Sequence, residues 1–230
     1  MEKANTCWNE AENETKVGLK LFHLEKISRI LPYNQQHTRD MPGGIELSTK
    51  TIKLMSDLAF QEGFIEQTIM LSHQVLHIDP KSWKAHYYLS RMNFLKRCKN
   101  ENCPNGENCS QSKQLLIVQN FILQTMILIS EQHVIDPEIV NIEKFIEEFD
   151  KAIASVISNY SAQELAMLNE KGAQIQYEKK KWLERCQKQI EENQKSNQQK
   201  KKNVKKDKNY SKLESTERPS SRLNTQNQMT

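Results

Sequence analysis

Gln61-Glu62-Gly63-Phe64-Ile65-Glu66-Gln67-Thr68-Ile69, continued by Leu76-His77-Ile78-Asp79-Pro80-Lys81-Ser82-Trp83-Lys84-Ala85, is the stretch on which the reading of this chain turns. Gly63 interrupts one helical pattern, because glycine is a poor helix former and a good turn former. Phe64 to Ile78 then carries Ile65, Ile69, Leu71, Leu76 and Ile78 on a helical repeat. Pro80 ends it: proline lacks an amide donor, and it pushes Asp79 out of the helical region. Ser82 is of the residue type that caps a new helix, and Trp83 begins one. Return helix, tight turn and next helix predict antiparallel hairpins stacked in series.

The same pattern extends outward. Val17, Leu21, Leu24, Ile27 and Leu31 form a stripe that Pro32 stops. Residues 34–44 read as a loop punctuated by Pro42-Gly43-Gly44. Ser48 reads as the cap of a helix over 49–61, with Ile52, Met55, Leu58 and Ala59 inside. Trp83, Tyr87, Leu89 and Phe94 give the inner face of the helix after Ser82. Residues 98–112 read as an inserted loop with a Pro104-Asn105-Gly106 turn. The run 115–129 is apolar nearly all round, which implies burial on more than one side. Asp136-Pro137 opens another helix, with Ile139, Ile142, Phe145, Ile146, Phe149, Ile153, Val156 and Ile157 periodic to about Tyr160. Ser161-Ala162-Gln163-Glu164 is a capping-box pattern that starts a long charged helix with Leu165, Leu168, Ile175, Trp182, Cys186 and Ile190. The domain reading is therefore 1–160 for the hairpins, 161–194 for a capping helix and 195–230 for a disordered basic tail.

Composition limits what such a chain can be. Its 230 residues hold 6 Gly and 6 Pro, few enough to favour helices over hairpin strands, and no clean apolar/polar alternation appears. The fold class is all-α, with about seven helices before the capping helix. The net charge is +4, but the stretch from Glu192 onward holds 10 Lys/Arg and 4 Asp/Glu, contributing 10 − 4 = +6 and leaving −2 for the remainder. Basic character belongs to the tail, so nucleic-acid contact is expected only there. No secretory leader and no membrane span are read; the run 115–129 is short and broken by Gln119, Asn120 and Gln124. Five cysteines without a leader point to free thiols in a reducing, cytoplasmic compartment.

The unit 49–82, with Gly63 in its turn, Ile69 and Leu76 on the inner face of its second helix and Asp79-Pro80 at its exit, resembles a tetratricopeptide repeat. Such repeats run about 34 residues and stack to form a groove. In the following unit His86 and Tyr87 lie at or beside the usual aromatic position, and Leu89-Ser90 match a leucine followed by a small residue. Ile135-Asp136-Pro137 repeats the exit Ile78-Asp79-Pro80 after 57 residues, so that unit carries an insertion. Thr68, Ser72 and Ala59 depart from the pattern. The spacing around Lys84-Ala85-His86-Tyr87-Tyr88 is similar to the repeats of co-chaperones and large immunophilins. In that family a Lys, an Arg and Asn residues clamp the terminal carboxylate of a heat-shock chaperone. Lys84 matches the clamp lysine, whereas Tyr88 stands at the Arg position and Leu54 at an Asn position.

Several residues are candidates for function. The expected groove is lined by Lys53, Asp57, Lys84, Tyr87, Tyr88 and Arg91, a mixture of charge and tyrosine suited to a protein partner. Cys98, Cys103 and Cys109 are weak zinc candidates, lacking a CxxC pair, and His73 and His77 are four apart on a helix. The run 178–190 is a basic amphipathic segment diluted by Glu178 and Glu184. Lys200, Lys201, Lys202, Lys205, Lys206 and Lys208 read as a nuclear-localisation or phosphate-binding tract. No nucleotide-binding, hydrolase or metalloprotease motif occurs, so neither a cofactor nor catalysis is expected. The leading expectation is a non-catalytic adaptor that binds a peptide or helix of a partner. Its rivals are a co-chaperone and a structural subunit of a cytoskeletal, ciliary or nucleic-acid-associated assembly.

Overall fold

The computed structural model describes residues 1–97, 111–132 and 139–214. Among the described residues are nine α-helices and no strand. They are α1 (Glu2–Asn13), α2 (Val17–Ile30), α3 (Gln36–Asp40), α4 (Gly44–Gln61), α5 (Ile65–Ile78), α6 (Trp83–Lys96), α7 (Gln111–Gln132), α8 (Ile139–Ser155) and α9 (Ala162–Glu214). The architecture is all-α and built from helical hairpins. The chain forms two compact units, Met1–Trp182 and Leu183–Thr230.

In the first unit neighbours in sequence are largely neighbours in space. α1 packs on α2, α2 on α4, α4 on α5, α5 on α6 and α6 on α7, while α8 covers both α6 and α7. The α2 stripe is inside as its spacing predicts: Leu21, Leu24, Ile27 and Leu31 are buried and Val17 is half-buried. Ile52, Met55, Leu58 and Ala59 on α4 are buried, and so are Trp83, Tyr87, Leu89 and Phe94 on α6. Full burial of a large apolar side chain stabilises by roughly 1.5–3 kcal/mol, so these faces dominate the energetics.

The punctuation has identifiable chemistry. Gly63 sits at φ +73°, and the bonds Gly63 N–H to the Phe60 carbonyl (3.1 Å) and Phe64 N–H to the Ala59 carbonyl (2.9 Å) close α4 in a Schellman motif. The Ser82 hydroxyl accepts from the Ala85 amide at 3.4 Å, an N-cap for α6. Ser161 and Glu164 make a reciprocal capping box: Ser161 N–H donates to Glu164 Oε2 (2.9 Å), and Glu164 N–H donates to Ser161 Oγ (3.3 Å).

Several expectations need correction. α4 begins at Gly44, with Gly43 at φ +72° as its cap, so Ser48 is not a cap. Ser48 is buried inside α4, and its hydroxyl donates to the Leu31 carbonyl at 2.8 Å, satisfying an acceptor at the end of α2. The buried face of α5 is Thr68, Leu71, Ser72 and Val75, one step around the helix from Ile69 and Leu76, which are half-buried. Small polar residues win that face because they let the helices approach closely: Ala59 is fully buried and the Ser56 and Ser72 hydroxyls bond at 3.1 Å. α1 and α3 lie where no element is read from sequence. α1 is sealed by Ala4 and Ala11, both essentially fully buried and too small to announce an apolar stripe. α8 stops at Ser155, and a 3-10 turn spans Ile157–Asn159 before α9.

α7 is the one described helix long and apolar enough to cross a membrane, over Lys113–Gln132. Here it is a core helix, with Leu115, Val118, Ile122, Met126 and Ile129 buried, and with Gln119 donating to the Leu168 carbonyl of α9 at 2.9 Å. In the second unit α9 continues to Glu214 instead of fraying near Gln194, so 195–214 is helical where a disordered tail is read. The reason is that 195–214 contains neither Gly nor Pro and is rich in Lys, which loses little freedom in a helix. Residues 98–110, the exit at Ile135-Asp136-Pro137 and the end of the chain from 215 lie outside the described residues.

Two glycines of α4 and α2 give a paired test. A Cβ on Gly44 would lie well inside contact distance of the Thr38 carbonyl oxygen, whereas one on Gly18 would meet nothing within 4 Å. Gly44→Ala should destabilise by about 1–3 kcal/mol. Gly18→Ala should be neutral or stabilise by up to ~1 kcal/mol. Urea denaturation followed by circular dichroism measures both, and equal midpoints for the two variants would refute the packing assigned to the α3–α4 corner.

Candidate functional site

α4, the end of α5, the Asp79–Ser82 turn and the first two turns of α6 enclose a surface cleft of about 290 Å³. Its α4 wall carries Lys53, Ser56 and Asp57, and its α6 wall carries Trp83, Lys84, Ala85 and Tyr88. Asp79 and Lys81 come from the turn, and Gln132 closes one side from the end of α7. On α4, Lys53 lies three and four residues before Ser56 and Asp57 and so shares one face with them, whereas α6 contributes its consecutive first residues Trp83, Lys84 and Ala85 together with Tyr88.

Four of the six residues read from sequence as groove residues meet here: Lys53, Asp57, Lys84 and Tyr88. Lys53 Nζ lies 2.9 Å from Asp79 Oδ2, and both side chains are partly exposed, 43% and 37%. An ion pair this wet contributes no more than about 1 kcal/mol, so it orients charge more than it stabilises the fold. Asp79 Oδ1 also accepts from the Lys81 amide at 3.3 Å, which holds the turn shut. The Tyr88 hydroxyl donates to Asp57 Oδ1 at 2.9 Å, while its ring stacks on Phe60 with centroids 4.0 Å apart and planes at 15°. Tyr88 is therefore an aromatic body buried in the core with its polar tip at the cleft. Lys84 Nζ sits 5.6 Å from the Trp83 ring centroid, within cation–π range. Gln132 Nε2 donates to the Lys81 carbonyl at 2.7 Å and ties α7 to the same turn.

The other two residues turn away. The Tyr87 ring is buried against Phe60 and Phe145, with centroids 5.6 and 6.2 Å away. Arg91 bonds Glu148, and its guanidinium lies 5.0 Å from the Phe145 ring centroid. Both join α6 to α8 rather than line the cleft. Asp79, Lys81 and Gln132 are not among the groove residues read from sequence; Asp79 signalled only a turn, and Gln132 reaches the site from 51 residues beyond Lys81.

The remaining candidates separate in space. His73 and His77 are exposed on α5 and line a different cleft of about 440 Å³ with Tyr33, Asn34 and Ser28. Among the described residues no group of three or more His, Cys, Asp or Glu is placed to hold a metal ion. Cys98, Cys103 and Cys109 lie outside the described residues, and Cys7 and Cys186 are half-buried and in no disulfide among the described residues. In the run 178–190, Glu178 and Trp182 are buried within the first unit and Lys181 bonds Glu178 at 3.2 Å, which removes much of the amphipathic face. In the second unit Leu183 and Ile190 are exposed. Lys200, Lys201, Lys202, Lys205, Lys206 and Lys208 fall on α9, and their side chains lie outside the described residues. Comparison with known proteins finds no matching family model, no similar curated protein and no similar solved structure.

His86 adds a pH-sensitive brace next to the cleft. Its Nε2 lies 3.2 Å from the Pro80 carbonyl oxygen and its ring contacts Phe121 of α7. Burial lowers its pKa below the ordinary 6.5, against a smaller opposing push from the Pro80 carbonyl. The folded chain thus resists protonation that the unfolded chain accepts at about 6.5. His86 supports the fold fully above that value and progressively less as pH falls through it. Wild-type urea stability should drop between about pH 7.5 and about pH 5.5 more steeply than that of His86→Gln. Parallel pH profiles for the two proteins would refute the assignment.

Proposed function

We propose that this chain is a non-catalytic adaptor, a tetratricopeptide-like stack of hairpins that holds a peptide or helix of a protein partner in the α4–α6 cleft. The supporting observation is the convergence of Lys53, Asp57, Lys84 and Tyr88 with Asp79 and Lys81 on one cleft beside a tight interhelical turn. Such a cleft offers both charge signs and an aromatic rim, which suits a polar peptide with an anchoring side chain. Rigid walls favour this use, because little freedom is lost when the ligand binds.

A chaperone-tail clamp is a weaker reading of the same cleft. Lys84 lies in it, but Leu54 is packed against the α1–α2–α4 core and the Tyr88 hydroxyl is engaged with Asp57. A cytoplasmic location, with the basic stretch of α9 acting as an address or tether, accompanies the adaptor reading.

Affinity purification of the full chain, quantified by mass spectrometry, tests it. Lys84→Glu and Lys81→Glu should each cut recovery of the same specific partners by roughly tenfold, the size of effect expected for charge reversal at a binding rim. Lys96→Glu, which alters the exposed pair with Glu66 away from the cleft, should leave recovery unchanged. Partners retained equally by all three variants would contradict the proposal. Calorimetry with a peptide ending in acidic residues separates the clamp from the general groove: binding that requires a free terminal carboxylate and is lost when that terminus is amidated favours the clamp.

A further inference from the structure

A second, shallow and open depression lies on the α1–α2 hairpin. It is a groove of about 440 Å³ lined by Lys3, Thr6 and Cys7 from α1 and by Lys26, Arg29 and Ile30 from α2. The antiparallel pairing of the helices sets these residues face to face. Half-buried Cys7 and Ile30 supply an apolar floor, while three cations stand at the rim. Their charge is little used within the chain. Among the described residues Lys3 makes no ion pair. Lys26 Nζ lies 4.3 Å from the centroid of Phe22, an aromatic ring left half exposed. Arg29 makes a loose 3.7 Å contact to Glu25, with 82% of its side chain exposed. Toward the other end of the hairpin, Glu10 of α1 lies 2.9 Å from His23 Nδ1 of α2.

We propose that this groove docks an acidic amphipathic segment of a partner protein. Carboxylates of the segment meet Lys3, Lys26 and Arg29, and one of its apolar side chains rests on Cys7 and Ile30. Charge complementarity decides for an acidic ligand. The apolar floor decides against a bare phosphate chain, which would leave it unfilled. The setting of Cys7 and Ile30, half-buried below the cations, decides against an anionic membrane, into which apolar side chains must protrude. The surface is distinct from the α4–α6 cleft, so the chain can hold two partners at once.

The test uses the full chain and a synthetic amphipathic peptide with leucines on one face and glutamates on the other, followed by fluorescence anisotropy. Wild type should bind the peptide, and a counterpart with lysine in place of glutamate should not bind. Lys3→Glu, Lys26→Glu and Arg29→Glu should each weaken binding by roughly tenfold. Raised salt should weaken it as well, since the contacts are exposed. Lys84→Glu should leave it unchanged, which separates this inference from the reading of the other cleft. All three rim positions lie on exposed or half-exposed helix surface, and circular dichroism confirms that each variant is folded. Absence of peptide binding, binding indifferent to the three reversals, or binding to phosphatidylserine vesicles but not to the peptide would each overturn the proposal.

Discussion

Burial of α6 on nearly all sides is the constraint on which the rest of this molecule depends. Trp83, Tyr87, Tyr88, Leu89, Met92 and Phe94 are all buried, and α5, α7 and α8 each cover part of the helix. A helix with this requirement cannot start at an arbitrary residue, because a shift by one position would rotate every side chain by about 100°. The Asp79–Ser82 turn sets the start: Pro80 stops α5, and Ser82 caps the free amides of α6. Aromatic packing then fixes the rotation. Phe94 meets Phe145 edge-on with centroids 5.3 Å apart, and Tyr88 lies flat on Phe60.

The α4–α6 cleft is a consequence of that packing. Its α6 wall is a face that α5, α7 and α8 leave partly open, and its α4 wall is held in register by Ser56 against Ser72. Residues that shape the cleft are thus core residues at their bases and polar at their tips, as in Tyr88. The ionic groups contribute direction rather than stability, since the Lys53–Asp79 pair is half in water. A surface assembled this way keeps its shape without a ligand, the condition under which binding costs least.

Much of this was legible in the sequence, for physical reasons that also mark where legibility ends. The α2, α4 and α8 faces are half-buried helices, so their apolar spacing names most of their inner residues, the exception being Ile157, which lies beyond the end of α8 and is exposed. α6 is different: with apolar and aromatic residues all round, periodicity cannot separate the face toward a groove from the face toward a later helix. Tyr87 and Arg91 were therefore read as groove residues although they face α8. Short-range signals tied to one turn, such as Gly63, Ser82 and the Ser161–Glu164 box, correspond to the observed bonds. Ser48 does not, because its partner, the Leu31 carbonyl, is 17 residues away and a hydroxyl inside a helix looks the same as one at its start. α1 was silent because alanine fills its interface, and Gln132 because only the folded chain brings α7 to the turn.

Amide hydrogen exchange is the most direct measurement of the central place given to α6. The account predicts that the amides of 89–94 are among the slowest in Met1–Trp182, exchanging only when the whole unit opens, while those of α1 exchange through local fraying. Exchange of α6 at the rate of α1, or faster, would contradict the claim that the unit and its cleft are built around that helix.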